Sequence, residues 1–232
     1  MGTSRVIGLI GGMSWESSAL YYRLLNEGVA RELGGLHSAR CVLASVDFAE
    51  VEQLQVRGDW DAAGALLADV ARDLQAAGAQ LLVLCTNTMH KVAPTIQAAV
   101  DIPLLHLADC TAAAVRAAGM GTVGLLGTAF TMEQEFYRDR LAAHGLTVLV
   151  PDADDRAAVH RIIYDELCLG IVEPASRRRY ADVIERLAAT GAQGVILGCT
   201  EIELLISPDD SVLPVFPTTR LHAEAAVAAA LA

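Results

Sequence analysis

The chain has 232 residues, of which 53% are hydrophobic and 19% charged; that is enough apolar material for a large core and too much for a disordered segment. The formal net charge is −11 and the isoelectric point is near 4.9, which argues against nucleic acid or an anionic membrane surface as partner. A small anionic substrate stays compatible, because one site can be rich in hydrogen-bond donors inside an acidic protein.

From the start of the chain, MGTSRVIGLIGG is too short and too poorly flanked for a signal peptide, and VIGLIGG (6–12) reads as a buried strand. SWESSALYYRLLNEGVARELGG follows as a helix with Ser14 as N-cap and Gly34 at its exit. Next come ARCVLASVDF as a strand, DWDAAGALLADVARDLQAAG as a helix and AQLLVLCT as a strand. TIQAAV (helix), IPLLH (strand) and a helix from about Ala108 complete a first series, and GTVGLLGT restarts the alternation. Continuous apolar strands spaced by helices predict a parallel sheet covered on both faces. No apolar stretch reaches membrane-spanning length without glycine or charge, so no membrane partner is expected. The five cysteines (Cys41, Cys85, Cys110, Cys168 and Cys199) are scattered without zinc-like spacing. No metal is expected, and free thiols fit a cytoplasmic location.

The restart is a repeat. GLIGG and Tyr21 recur as GLLGT and Tyr137, GAQLLVLCTNT as GAQGVILGCTE, and IPLL as LPVF, at offsets of 116, 113 and 111 residues. The expected fold is therefore α/β, with two pseudo-symmetric parallel-sheet lobes and the active site in the cleft between them. The first lobe is assigned residues 1–107 plus 209–232, and the second 108–208. Candidate chemistry falls on the loops after the strands: GGMSWES, CTNTMH, GTAFTM and CTEIE.

Pairing the two GAQ segments without gaps sets Cys85 against Gly198 and Thr86 against Cys199. Two proton-transfer groups facing each other suit inversion of a stereocentre, in which one group removes the Cα proton and the other reprotonates the opposite face. A thiol suits that task because its free pKa lies near 8.5 and falls at a helix start, the setting expected for Cys199. Asn87, Thr88 and Thr200 are the right types to bind a carboxylate. Cys85, ending an apolar strand, is either a buried inert residue or the acid/base itself. His90 could orient the loop, assist Thr86 or be purely structural. The three arginines at 177–179 read as a solvated helix face. GGMSWES lacks the dinucleotide-binding glycine spacing.

IGLIGGMSWESSALYY, VDFAEVEQLQ, TNTMH, GLLGTAFTME, IIYDELCLG and VILGCTEIELLI together resemble the aspartate/glutamate racemase family, over nearly the whole chain. The resemblance implies racemisation of an amino acid without pyridoxal phosphate or metal, a homodimer, and a small anionic amino-acid substrate. It implies one catalytic cysteine immediately before Asn-Thr and one in Gly-Cys-Thr. The first position is Thr86 here and the second is Cys199, a departure from the two-cysteine pattern. By resemblance, Met13 and the nearby backbone line the pocket and Gln53 recognises the substrate's side-chain end; Thr131, the second-lobe counterpart of the first loop, is a candidate carboxylate ligand, and Glu201 joins Asn87, Thr88 and Thr200 as a candidate substrate contact. The alternative for Gln53 is an exposed helix residue, and for Thr131 an N-cap. Pro217 stands where relatives often carry an acid. Alternative activities are hydantoin racemase, maleate isomerase, or ligand binding without catalysis.

Overall fold

The computed structural model describes residues 4–232; Met1–Thr3, which open the segment MGTSRVIGLIGG, lie outside it. The chain divides into two compact units. One runs through Leu107 and takes in His222–Ala232; the other is Ala108–Leu221.

In the first unit β1 (Ile7–Gly11) leads to α1 (Trp15–Leu33), β2 (Cys41–Ser45), α2 (Phe48–Arg57), α3 (Trp60–Ala76), β3 (Leu81–Leu84), α4 (Ala93–Ala98) and β4 (Leu104–Leu105). The strands are parallel in the order β2-β1-β3-β4. Ser14 caps α1 by accepting from the Ser17 amide, and Gly34 closes it. Asp47 and Asp59 cap α2 and α3 in the same way, each contact worth about 1 kcal/mol. Side chains alternate across β1 and β3. Ile7, Leu9, Leu81, Val83 and Cys85 pack on α1 residues Tyr21, Leu24, Leu25 and Val29. Ile10, Leu82 and Leu84 pack with Met13, Val51, Leu67 and Met89 on the other face. Helix α2 is a separate element between β2 and α3, set off by Asp47 and Gly58.

Helix α5 (Leu107–Ala117) carries the chain into the second unit, which continues with β5 (Thr122–Gly127), α6 (Ala129–Glu133), α7 (Glu135–Ala143), β6 (Thr147–Leu149), α8 (Ala153–Asp165), α9 (Pro174–Ala189), β7 (Gly194–Gly198), α10 (Ile202–Leu205) and β8 (Val215–Pro217). Helix α11 (Thr218–Leu231) ends the fold. The order is β6-β5-β7-β8, again all parallel. Registers repeat as well: Ile7 pairs with Leu81 as Val123 pairs with Gly194, and Leu82 with Leu104 as Val195 with Val215.

Within residues 209–232, assigned to the first lobe, this topology moves 209–221 to the second unit and leaves His222–Ala232 in the first. Strand β8 is hydrogen-bonded to β7, so the second unit extends to Leu221. The repeat of IPLL as LPVF already placed LPVF beside β7. Pro217 sits on this edge strand opposite Leu197, where its missing N–H costs no ladder bond. The arginine run lies on the exposed face of α9, with Arg177 and Arg178 exposed and Arg179 half-buried. Arg179 and Arg186 of α9 both bind the buried Asp155 carboxylate of α8, at 2.6–2.9 Å, and Arg177 donates to the Leu205 carbonyl.

Candidate active site

Thr86 and Cys199 occupy equivalent places, two residues beyond the paired positions Leu84 and Leu197 of the central strands. Their surroundings differ.

In the first unit Cys85 is completely buried and shares a sheet face with Leu81 and Val83. Desolvation pushes its thiol well above the ordinary cysteine range. Thr86 is 8% exposed. The loop is tied down at both ends: Ser17 Oγ donates to the Cys85 carbonyl at 2.9 Å, and His90 Nδ1 meets the Thr86 carbonyl at 2.7 Å. The amide of Leu107 donates to His90 Nε2 at 3.1 Å. An acceptor at Nε2 and a carbonyl at Nδ1 require the Nδ1–H tautomer. Burial, His106 and His222 hold the pKa of His90 well below its ordinary value, so the ring is neutral at pH 7. Asn87 and Thr88 are buried beside Thr86.

The β1–α1 turn depends on Gly12, which adopts φ +95°; a Cβ there would come 2.1 Å from the Val46 carbonyl oxygen. Met13 packs its side chain into the apolar cluster of Val51 and Met89, so any lining it offers comes from backbone. Gln53 is an exposed residue of α2 and accepts from Arg57. The buried glutamine of α2 is Gln55, 4% exposed, whose amide donates to Met89 Sδ at 3.0 Å and whose Oε1 has no partner. Its spacing of four from buried Val51 was the signal that could have found it.

In the second unit Thr128, not Thr131, caps α6. Thr131 has no exposed surface. Its methyl packs on Gly127 and Gly198, and its hydroxyl lies 3.2 Å from that of Thr128. His160 Nδ1 accepts from the Ala129 amide at the start of α6, a residue that no sequence motif pointed to.

Beyond β7, Cys199 is 9% exposed and its Sγ lies 2.8 Å from Glu201 Oε2. Thr200 Oγ1 donates to the same oxygen at 2.8 Å. Burial and then the Glu201 carboxylate push the thiol well above its ordinary pKa. The expectation of a thiol acidified by a helix start is therefore corrected. Helix α10 has only four residues, and an anion beside a buried thiol outweighs so short a dipole. At rest Cys199 is a protonated donor to Glu201, and Glu201 is a partner of the cysteine.

Among the described residues no group of three or more His, Cys, Asp or Glu is arranged to hold a metal, and no helix is long and apolar enough to cross a membrane.

Residues 10–226 match the profile of the Asp/Glu/Hydantoin racemase family. A Yersinia pestis crystal structure, provisionally described as an Asp/Glu racemase, is 56% identical, with a TM-score of 0.93 over 98% of this chain and 100% of that one. An aspartate racemase homologue from Pyrococcus horikoshii OT3 is 31% identical, with a TM-score of 0.85 over 98% and 100%. A glutamate racemase from Streptococcus pyogenes serotype M3 is 27% identical over 128 residues, which are 54% of this chain and 47% of that protein. By this match over most of its length, the chain belongs to the Asp/Glu/Hydantoin racemase family, a family of isomerases.

Proposed function

We propose that the protein interconverts the enantiomers of aspartate or glutamate by two-base proton transfer at Cα, with Cys199 as one acid/base and Thr86 in the place of the other. The observation that carries this reading is the buried thiol of Cys199 against the Glu201 carboxylate, at the position equivalent to Thr86. Glu201 takes the thiol proton, and the thiolate removes the Cα proton as the C–H bond breaks and an S–H bond forms. Thr86, or a water it holds, returns a proton to the opposite face of the carbanion. Asn87, Thr88 and Thr200 supply donors to the substrate carboxylate. The buried, half-satisfied amide of Gln55 supports a polar role for α2 in the same site. The reading includes a cytoplasmic homodimer working without pyridoxal phosphate or metal, which size-exclusion chromatography and assay of the purified, metal-free protein check.

A threonine hydroxyl is a poor base unless activated, so deprotonation from the Thr86 side is slower. The equilibrium constant between enantiomers is one, so kcat/KM is equal in both directions and the asymmetry appears in kcat and KM together. The test is Cα deuterium exchange of each enantiomer of aspartate, glutamate and a 5-substituted hydantoin in heavy water, followed by proton NMR. Exchange of an acidic amino acid with unequal kcat supports the reading. Exchange of the hydantoin alone moves the substrate class, and binding without exchange removes catalysis. Thr86→Cys is expected to raise the slower kcat.

A further inference from the structure

Outside the proton-transfer residues, the first unit packs together polar rings that the reaction does not consume, with His90, His222 and Tyr21 buried and His106 half-buried. His90 lies 4.7 Å from His106 and 5.7 Å from His222, centroid to centroid. His222 Nε2 meets the Leu105 carbonyl at 2.9 Å, and its Nδ1 meets the Tyr21 hydroxyl at 2.9 Å. A carbonyl only accepts, so Nε2 carries the proton and Nδ1 accepts from Tyr21. Both nitrogens of His90 and both of His222 are thus engaged by protein groups, which rules out reading the pair as a metal site.

The two bonds of His90 reach two different pieces of chain. One goes to the backbone of Thr86. The other goes to the Leu107 amide, the first N–H of the eleven-residue helix α5, a group with no partner inside its own helix. The lone pair on Nε2 suits the positive end of α5, where an imidazolium would be disfavoured. One neutral ring therefore bolts the β3 loop to the start of α5.

We propose that His90 is the positioning residue for Thr86: its Nδ1–H holds the Thr86 carbonyl while Nε2 anchors on α5, so the ring sets where the Thr86 side chain stands relative to the sheet. This rests on the reading of Thr86 as an acid/base. His90 itself does not touch the reacting atoms. The same geometry explains how a residue on a loop, rather than on a strand or helix, can be held as firmly as proton transfer requires.

The two nitrogens can be tested separately. In His90→Asn the amide stands in for Nδ1 and keeps the bond to Thr86. In His90→Gln it stands in for Nε2 and keeps the bond to Leu107. The kcat and KM for whichever of L-aspartate and L-glutamate the wild type exchanges, together with Tm, are measured for both variants, with Thr86→Ala as control. The expected result is kcat at least about tenfold lower for His90→Gln, which breaks the bond to Thr86, and a clearly smaller loss for His90→Asn, which keeps that bond and gives up only the α5 anchor. KM should move less than about twofold, and the two variants should lose similar Tm. Parallel loss of kcat and Tm in both variants overturns the proposal and leaves His90 a purely structural histidine. If the wild type shows no exchange, or Thr86→Ala keeps full activity, the reading of Thr86 falls and takes the positioning role with it.

Discussion

The loop after β3 and the loop after β7 follow equivalent strands with equivalent registers, yet they prepare opposite proton chemistry. Beyond β3 a neutral imidazole donates to the main chain of Thr86, and no anion of that loop stands beside the hydroxyl. Beyond β7 a carboxylate takes hydrogen bonds from both Cys199 and Thr200. The cysteines differ for a steric reason as well. At Gly198, the counterpart of Cys85, a Cβ would come 2.8 Å from the Leu126 carbonyl oxygen and 3.0 Å from Leu125. The first unit has room at that place, and the Cys85 thiol fills it as core. Duplicated architecture thus preserves where a residue stands, while the neighbours decide what proton it carries.

The comparison breaks most visibly at the second loop. Cys199→Ala should lower Cα exchange by about 10²- to 10⁴-fold, or about 3–5 kcal/mol of barrier, measured by NMR in heavy water. Glu201→Gln should cost less, about tenfold. Because Glu201 raises the thiol pKa, its removal should also move thiolate absorbance at 240 nm to lower pH. An unmoved titration would show that the carboxylate does not govern the thiol.

A smaller effect sharpens the first unit through its buried histidines. Burial lowers the pKa of His222 from the ordinary 6.5 to about 4 and holds that of His90 well below its usual value. The unfolded chain therefore takes up protons at higher pH than the folded one. Their contribution to stability is full above pH 6.5 and is lost as the pH falls through about 4, by about 3 kcal/mol for His222 alone. Urea denaturation at pH 7, 5.5 and 4 should show the fall, with a shallower slope for His222→Gln. A slope unchanged by that substitution would mean His222 is not held neutral.

The smallest expected effect separates the two adjacent residues of the first loop. Cys85→Ala should cost about 1 kcal/mol of stability, through lost burial and a small cavity, and leave kcat within about twofold. A collapse of exchange in Cys85→Ala with normal folding would move the acid/base to Cys85.

Several of these features are legible in the sequence itself. Ser14 and Gly34 delimit α1, because capping is local chemistry. The offsets between the repeats are reproduced by the strand registers, because a parallel strand buried on both faces has few alternatives to a continuous apolar run. Other features are not legible there. Gln53 and Gln55 are two positions apart, about 200° around a helix, so one faces solvent and the other is buried. Residues 209–221 belong to the second unit although their sequence does not say so, because a short strand such as Val215–Pro217 carries little signal of its own and only its hydrogen-bond partner assigns it.

The alternation of apolar runs, the internal repeat and the caps determined by themselves that this chain would build two parallel α/β units and set Thr86 and Cys199 in equivalent loops. Tertiary structure alone decided that Cys199 rests protonated against Glu201, that His90 is a neutral Nδ1–H ring bridging two segments, and that Cys85 is core. Periodicity and capping depend on neighbours a few residues away along the chain. Proton affinity depends on burial and on whichever charges and dipoles the fold brings within a few ångströms.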